Sequence, residues 1–150
     1  MFTFAKEGKV WWRVNLIARD ADGGDPREVP VRILYRIYTR AEMKLRERKL
    51  AGPLAKLRGS DVNAIQDALK EAEALNERYD SDLAERICDW GDIAGADGEP
   101  LPFSRDALRA LLDDDAQYTP LAAGLVEASK GARAKNSSPG LAGSRAPGQV

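Results

Sequence analysis

Length and composition place the chain among ordinary globular proteins. It has 150 residues, 43% of them hydrophobic and 31% charged, with a formal net charge of −1 at pH 7, which excludes collagen-like and highly charged disordered classes. One cysteine and no histidine exclude an internal disulfide and remove the commonest metal ligand and general base. No apolar run spans a bilayer and the first residues lack a signal-peptide pattern, so we expect a cytoplasmic protein. With no phosphate-binding glycine loop and no zinc-ligand spacing, we predict no cofactor.

The charges are divided unevenly along the chain. Residues 27–58 carry ten Lys or Arg against three Asp or Glu, a local net of +7, whereas residues 60–115 carry five against sixteen, a net of −11. Two interpretations stay open. In the first, the charges only keep the surfaces solvated. In the second, the two segments attract each other, within one subunit or between neighbouring subunits, or one of them attracts a charged partner. Nucleic-acid binding by the basic segment is disfavoured, because the overall charge is negative.

The first predicted elements in chain order are β-strands. Apolar side chains alternate with a period of two and fall on one face of each strand: Trp12, Val14, Leu16 and Ala18 in the first, and Val29, Val31, Ile33, Tyr35 and Ile37 in the second. Turn-forming residues at 20–28 predict that the two strands form an antiparallel hairpin. A leading strand at residues 2–5 would complete a β-meander of two or three strands within residues 1–38.

Helical spacing of apolar residues begins at residue 39 and predicts five helices. Thr39 and Glu42 match a capping box, and Gly52 and Pro53 are expected to end this first, basic helix. The remaining helices are predicted to start at residues 60–61, after residue 79, after residue 104 and at about residue 119, the last continuing to residue 133.

The fold class that follows is α+β, with a small N-terminal antiparallel meander packed with about five α-helices. We expect a single domain at residues 1–133, divided into the meander and a helical part at residues 39–133. Residues 134–150 are rich in Gly, Ser, Pro and Ala and are predicted to be a disordered tail.

Residues 89–104, DWGDIAGADGEPLPFS, differ from the charged helices around them. We interpret them as a connector between two helices, in which Gly91 ends one helix in a left-handed conformation and Ser104 caps the next. The helix before the connector is expected to bury one face, formed by Leu83, Ile87 and Trp90.

Within the connector, Asp97 and Gly98 are predicted to form a turn, and two prolines, Pro100 and Pro102, to hold an extended segment. Trp90 and Phe103 are expected to pack against each other and fix the angle of the corner. A ligand pocket is the alternative interpretation of these aromatic residues.

Two further features have a chemical and a structural interpretation. Asp113, Asp114 and Asp115 are adjacent carboxylates that point in different directions, which favours a solvated helix end over a metal or acid–base site. Cys88 lies on a predicted helix face with no histidine to activate it, which favours a small buried side chain over a nucleophile. We therefore predict no catalytic residue, no metal site and no enzymatic activity.

The order and spacing of several residues resemble a known family. The residues are Trp90 and Gly91, DGEPLPFS at 97–104, Leu108, Leu111 and Leu112, and Lys135 and Asn136. Upstream, FTF followed by WWRVNLIARD and VPVRILYRIYTRAEMKLRE is similar to the family's opening, so that the resemblance covers roughly residues 1–136. The chain resembles the tail assembly chaperones of long-tailed, siphovirus-type bacteriophages. Its middle, at about residues 52–80, carries no signature.

The resemblance implies a function in viral tail assembly in the host cell cytoplasm. Such chaperones bind and solubilise the tape measure protein, promote polymerisation of the tail tube protein around it, and are absent from the mature virion. Many members also have a longer isoform, produced by ribosomal frameshifting near the end of the gene. The implied partners are therefore the tape measure protein, the tail tube protein, further copies of the chain and such an isoform, but no membrane.

The longest predicted helix carries our candidate partner-binding face, formed by Ile65, Leu69, Ala72 and Leu75, because an amphipathic helix of the partner could lie in a groove beside it. Core packing is the alternative use of the same side chains. Two functions of other classes also stay open: a structural tail component retained in the virion, and a small regulator that binds nucleic acid.

Overall fold

A three-stranded antiparallel sheet organises the chain. The computed structural model describes residues 1, 6–57 and 61–131. The strands are β1 (Lys9–Ala18), β2 (Arg27–Arg36) and β3 (Ile87–Gly91), arranged in that order, and the helices are α1 (Arg40–Leu57), α2 (Val62–Arg86), α3 (Arg105–Leu112) and α4 (Asp115–Lys130). The predicted α+β class is confirmed, with four α-helices in the described residues where the sequence predicted five.

The first two strands form the predicted hairpin. β1 and β2 pair along all ten residues of each strand. Val14, Ile33 and Tyr35, which the period-two pattern assigned to one face, are buried, because alternate residues of a strand point to opposite sides of the sheet.

The third strand replaces a predicted helix. The short helix expected after residue 79 does not form, because α2 continues through residue 86 and the chain then extends beside β2. Of the face assigned to that helix, Leu83 is buried in α2, whereas Ile87 and Trp90 are buried in the sheet, Trp90 opposite Ile33. β-branched and aromatic residues favour strands, and pairing with β2 provides backbone hydrogen bonds. The sheet is therefore not confined to residues 1–38.

The core lies between the inner face of the sheet and helices α3 and α4. Strands and helices both supply buried side chains: Val14, Leu16, Val31, Ile33, Tyr35 and Ile87 from the sheet, and Leu108, Leu121, Leu125 and Ala128 from α3 and α4. We call the three strands with α3 and α4 the sheet body, and α1 with α2 the helical hairpin.

Helix α4 is fastened to the sheet by hydrogen bonds. The Tyr35 hydroxyl donates to the Leu121 carbonyl oxygen at 2.7 Å. The Gln117 amide bonds both backbone groups of Ile17, accepting from its N–H at 2.8 Å and donating to its carbonyl at 2.6 Å. Because an edge strand otherwise presents unpaired backbone groups, Gln117 closes the free edge of β1 at this residue.

The close approach of α4 to the sheet depends on Gly124. A Cβ atom at this position would lie 2.5 Å from the Tyr35 hydroxyl oxygen and 2.9 Å from Val14 Cγ2. Both distances are shorter than van der Waals contact, so a larger residue would push the helix away.

Helix α1 begins as predicted but ends later. The Thr39 N–H donates to Glu42 Oε1 at 2.9 Å and the Thr39 hydroxyl accepts from the Glu42 N–H at 3.2 Å, which is the predicted capping box. The helix does not end at Gly52 and Pro53 but continues to residue 57 with the proline inside it. A proline removes one helical hydrogen bond. Here Pro53 is buried and α1 packs along α2, so tertiary packing outweighs that local cost.

The other helix starts follow from their caps. Asp61 caps α2 by accepting from the Asn63 N–H at 2.9 Å. Helix α4 begins earlier than predicted, at residue 115, because the Asp114 carboxylate accepts a backbone N–H of its first turn at 3.1 Å. Helix α4 also ends earlier than the predicted residue 133, at Lys130, because Gly131 adopts a left-handed conformation with φ of 72° and caps it. The predicted leading strand at residues 2–5 and the predicted tail at 134–150 lie outside the described residues.

Candidate interaction surface

The predicted binding stripe on α2 is divided between two environments. Leu69 is 51% exposed, whereas Ile65, Ala72 and Leu75 are half-buried. These three lie three, four and seven residues from Ala68, which has no exposed surface, and residues at that spacing share one side of a helix. The structure therefore separates Leu69, which faces outward, from three residues on the packed side of α2.

A groove of about 330 Å³ runs between α1 and α2. Leu45, which is 46% exposed, supplies apolar surface to it. Charges of both signs line the same groove: Arg46, Lys49, Arg78, Asp82 and Glu85. A surface that combines an exposed aliphatic side chain with mixed charges fits a protein segment better than a small ion.

Arg86, at the base of the groove, is buried and fully engaged. It donates to Glu42 Oε2 at 2.7 Å, to Asp82 Oδ1 at 3.0 Å, and to the backbone carbonyls of residues 36–37 at 3.2 and 3.1 Å. Its guanidinium carbon lies 4.1 Å from the centroid of the Tyr38 ring, whose hydroxyl donates to Asp82. A buried charge is tolerated when it is paired and hydrogen-bonded, so Arg86 joins α1, α2 and the end of β2.

The pKa shifts in this cluster preserve its charges. Burial alone would lower the pKa of Arg86, but its hydrogen bonds to Asp82 and Glu42 raise it above the ordinary value. The Thr39 backbone N–H, with a further contribution from Arg86, lowers the pKa of Glu42. Burial and the hydrogen bond to Asp82 raise the pKa of Tyr38. Each group is thus held in its usual neutral-pH form, as expected for a structural cluster rather than an acid–base site.

A second contact ties the helical hairpin to the sheet body. The hydroxyl of Tyr118, in α4, donates to Asp80 in α2. Burial, followed by this hydrogen bond, raises the pKa of Tyr118 to about 12, so the donor keeps its proton across the physiological pH range.

The connector at residues 89–104 joins a strand to a helix, and the prediction that it joins two helices is wrong. Trp90 meets Phe103 edge to face, with ring centroids 5.0 Å apart and planes at 81°, so the predicted aromatic packing is confirmed. The Trp90 indole N–H donates to the Leu101 carbonyl at 2.8 Å. The Ser104 hydroxyl accepts a backbone N–H of the first turn of α3 at 3.1 Å, which confirms the predicted cap.

The interior of the connector follows the predicted turn chemistry. Gly98 has φ of 82° and its N–H bonds back across the turn at 3.0 Å. Asp97 stabilises the turn by accepting the Glu99 N–H at 3.0 Å. Pro100 pairs with Ala94 in an isolated β-bridge, and Pro102 is exposed in the segment that leads to α3.

Gly91 does not end a helix. It lies in β3 opposite Arg32, and the left-handed residue is the next one, Asp92, with φ of 68°. A Cβ atom at position 91 would overlap the Arg32 guanidinium. The glycine therefore leaves room for the Arg32 guanidinium, whose Nε donates to Asp92 Oδ2 at 2.9 Å.

Two chemical candidates of the sequence remain, the aspartates at 113–115 and Cys88. Asp114 caps α4 and pairs with Arg19, and Cys88 is half-buried in a strand, not on the predicted helix face. Across residues 1, 6–57 and 61–131, no group of three or more His, Cys, Asp or Glu could hold a metal ion. Among the helices that the structure describes, none is long and apolar enough to cross a bilayer.

Two features were missed by reasoning from the sequence. The first is the Arg86 cluster. The sequence feature that could have revealed it is an arginine three residues after Leu83, on the same buried face of a helix. The second is Trp11, which is 45% exposed on the outer face of the sheet. The same alternation that assigned Trp12 to the inner face also assigned its neighbour to the outer one.

Comparisons of the chain with protein-family profiles, with curated proteins and with solved structures found no match. The function is therefore inferred from the residues and geometry of this chain.

Proposed function

We propose that this chain is a tail assembly chaperone of a long-tailed bacteriophage. It is a binding protein without enzymatic activity that keeps the tape measure protein soluble in the host cytoplasm, promotes assembly of the tail tube around it, and is absent from the mature virion. The observation that carries the proposal is the motif from Trp90 to Ser104, with the leucines of α3 after it. The packing of Trp90 on Phe103 gives this motif a structural reason for its residue types.

The surface of the helical hairpin supports the proposal in physical terms. A tape measure helix that is not yet covered by the tube presents apolar side chains, and its chaperone needs apolar surface that is reachable without unfolding. Leu45 and Leu69 are 46% and 51% exposed on the two helices, and a charged groove lies between these helices. An amphipathic client helix bound in the groove would cover Leu45 and place its polar edges against the groove charges, whereas Leu69 adds apolar surface on the outward side of α2.

Co-expression tests the proposal directly. The tape measure protein of the same genome is expressed with and without this chain, and its soluble fraction is measured. We expect the wild-type chain to raise that fraction, and a variant carrying Leu45→Ser and Leu69→Ser to lose the effect while keeping its thermal midpoint. Leu101→Ser, at a residue that is 37% exposed outside the hairpin, is the matched control. A wild-type chain that leaves the tape measure protein insoluble contradicts the proposal.

The stripe residue Leu75 separates client binding from core packing. Leu75→Ala is expected to lower the free energy of unfolding, because the side chain is half-buried, whereas Leu69→Ala is expected to lower client solubility and leave the free energy of unfolding nearly unchanged. If Leu69→Ala unfolds the domain, the residue belongs to the core and α2 is not the client-binding face.

Mass spectrometry of purified virions separates a chaperone from a structural tail component. We expect the chain in infected-cell lysates and not in particles. A stoichiometric amount in particles would favour the structural component instead. The coding DNA provides an independent check, because a slippery heptamer followed by an overlapping reading frame would indicate the longer isoform.

A further inference from the structure

The outer face of the sheet has the composition of a binding surface. At its centre Trp11 lies opposite Leu34 across the first strand pair, with Trp11 45% exposed and Leu34 half-buried. A concavity of about 600 Å³ adjoins Trp11 and includes Pro30 in its lining. An exposed tryptophan beside apolar neighbours is uncommon on a surface that only contacts water, and tryptophan is enriched among the residues that dominate protein interfaces.

Arginines flank this apolar centre, and one carboxylate, Asp89 of β3, lies opposite Leu34 on the same face. Arg13 and Arg32 lie directly opposite each other on the same face, an arrangement that disfavours the strand pair because like charges are adjacent. The Arg32 guanidinium carbon lies 5.2 Å from the Trp11 ring centroid, and its Nε pairs with Asp92. Room for this pose comes from Gly91, so the chain holds an arginine and a tryptophan together on an outward face.

Helix α2 carries a surface of the opposite charge. Five exposed residues recur every three or four positions and therefore form one outward stripe: Val62, Gln66, Leu69, Glu73 and Glu77. Val62 is 66% exposed and Leu69 is 51% exposed. The stripe thus combines apolar side chains with carboxylates, where the sheet combines apolar side chains with arginines.

We infer that the outer sheet face of one subunit binds the α2 stripe of a second copy of this chain. Trp11 and Leu34 would contact Val62 and Leu69, and the arginines would pair with the glutamates. The lengths agree, because ten-residue strands extend about 33 Å and a 25-residue helix extends about 37 Å. This inference does not depend on the proposed function, since it concerns contacts between identical chains.

The end of the chain is a poor alternative occupant of the sheet face. Residues 132–150 contain three Lys or Arg and no Asp or Glu, so their side chains would meet the arginines with like charge. The acidic stripe on α2 is a complementary surface that the structure does describe.

The contact is heterologous, because each subunit uses two different surfaces. Such contacts do not stop at a dimer but continue into a closed ring or an open filament. Since part of the attraction is between exposed charges, association should weaken with salt as the Debye length falls to about 3 Å at 1 M.

Sedimentation velocity of the purified full chain tests the contact. We expect concentration-dependent association at 0.1 M salt and a smaller mean size at 1 M. A sheet variant, Trp11→Ser with Arg13→Glu, should associate at least about tenfold more weakly. It should still fold, because a glutamate opposite Arg32 is a favourable cross-strand pair. A stripe variant, Leu69→Ser with Glu73→Lys and Glu77→Lys, should behave in the same way.

Mixing the two variants gives the decisive result. Each has lost one surface and kept the other, so an equimolar mixture should form a 1:1 dimer that does not grow, although neither variant associates alone. A control with Leu101→Ser and Arg109→Glu, both at exposed positions outside the two surfaces, should associate like the wild type.

Four outcomes would overturn the inference. The first is a wild-type chain that stays monomeric at all concentrations. The second is a mixture of folded variants that forms no dimer. The third is a sheet variant that still dimerises alone, which would indicate a symmetric contact elsewhere. The fourth is association that disappears after nuclease treatment, which would mean that nucleic acid and not the α2 stripe joins the subunits.

Discussion

The sheet body and the helical hairpin differ in how they are held together. The body has a continuous apolar core in which Ile33, Tyr35 and Leu121 have no exposed surface. In the hairpin, between residues 44 and 80, the buried residues among those described are Pro53 and Ala68. The hairpin therefore depends on half-buried contacts and on polar anchors at its base. Stability is concentrated in one region, and the exposed apolar side chains of the other remain available for partners.

The largest expected effect is the loss of a body side chain. Leu121→Ala should lower the free energy of unfolding by about 3 kcal/mol, because it leaves a cavity between α4 and the sheet. The matched change in the hairpin, Leu69→Ala, should alter it by less than about 0.5 kcal/mol. Urea unfolding followed by circular dichroism measures both values. Equal effects at the two positions would mean that Leu69 packs as closely against its neighbours as Leu121 does.

The second prediction concerns the anchor between the two regions. Arg86→Met keeps much of the side-chain volume but removes the cation from Glu42, Asp82 and two backbone carbonyls. We expect a loss of about 2 kcal/mol, below the usual cost of breaking a buried pair because both carboxylates are partly exposed.

Hydrogen exchange locates the effect of Arg86→Met. Amides of α1 should exchange faster in the variant, whereas those of β1 and β2 should change little, because local opening of the hairpin leaves the sheet core intact. Uniform acceleration through both regions would show that the hairpin and the body unfold as one unit.

The same division explains which elements could be predicted from the sequence. In the body, period-two alternation identified the β1–β2 hairpin and its buried face, since one side of the sheet is packed and the other is solvated. The helix caps at Thr39, Asp61 and Ser104 were predictable because each capping hydrogen bond joins residues only two or three positions apart.

The errors arose where long-range contacts decide the structure. Residues 87–91 are a strand because β2 lies beside them, and α1 passes through Pro53 because α2 packs along it. The predicted stripe on α2 was a correct amphipathic pattern, but the sequence could not assign Leu69 to solvent and Ile65, Ala72 and Leu75 to the packed side. Exposure at the edge of a stripe depends on where the neighbouring helix lies.

The third prediction contrasts a glycine from each region. Gly124→Ala should destabilise the body by about 1 to 2 kcal/mol, because its Cβ would overlap Tyr35 and Val14 in a packed core. Gly52→Ala lies inside α1, where the nearest atom to a new Cβ is Glu71 Oε1 at 3.7 Å, and should stabilise the chain by up to about 1 kcal/mol through helix propensity. Thermal unfolding of the two variants measures the difference. Opposite signs are expected, and a tolerated alanine at position 124 would mean that α4 can shift away from the sheet.

The smallest expected effect is a pH dependence at the capping box of α1. The folded chain holds the pKa of Glu42 below its ordinary value of 4.5, chiefly through the Thr39 backbone N–H. The stabilisation is therefore fully present above about pH 4.5 and is lost as the pH falls through the folded pKa, because the unfolded state takes up the proton first. Since the Glu42 side chain is 45% exposed, its contribution should be small, about 0.5 kcal/mol.

Comparing urea unfolding at pH 6 and pH 3.5 for the wild type and for Glu42→Gln isolates the contribution of the Glu42 charge. The glutamine can still accept the Thr39 N–H but does not titrate, so the variant should lose less stability on acidification. If both chains lose the same amount, the acid sensitivity lies in other carboxylates and this cap contributes no measurable charge-dependent anchoring of the hairpin.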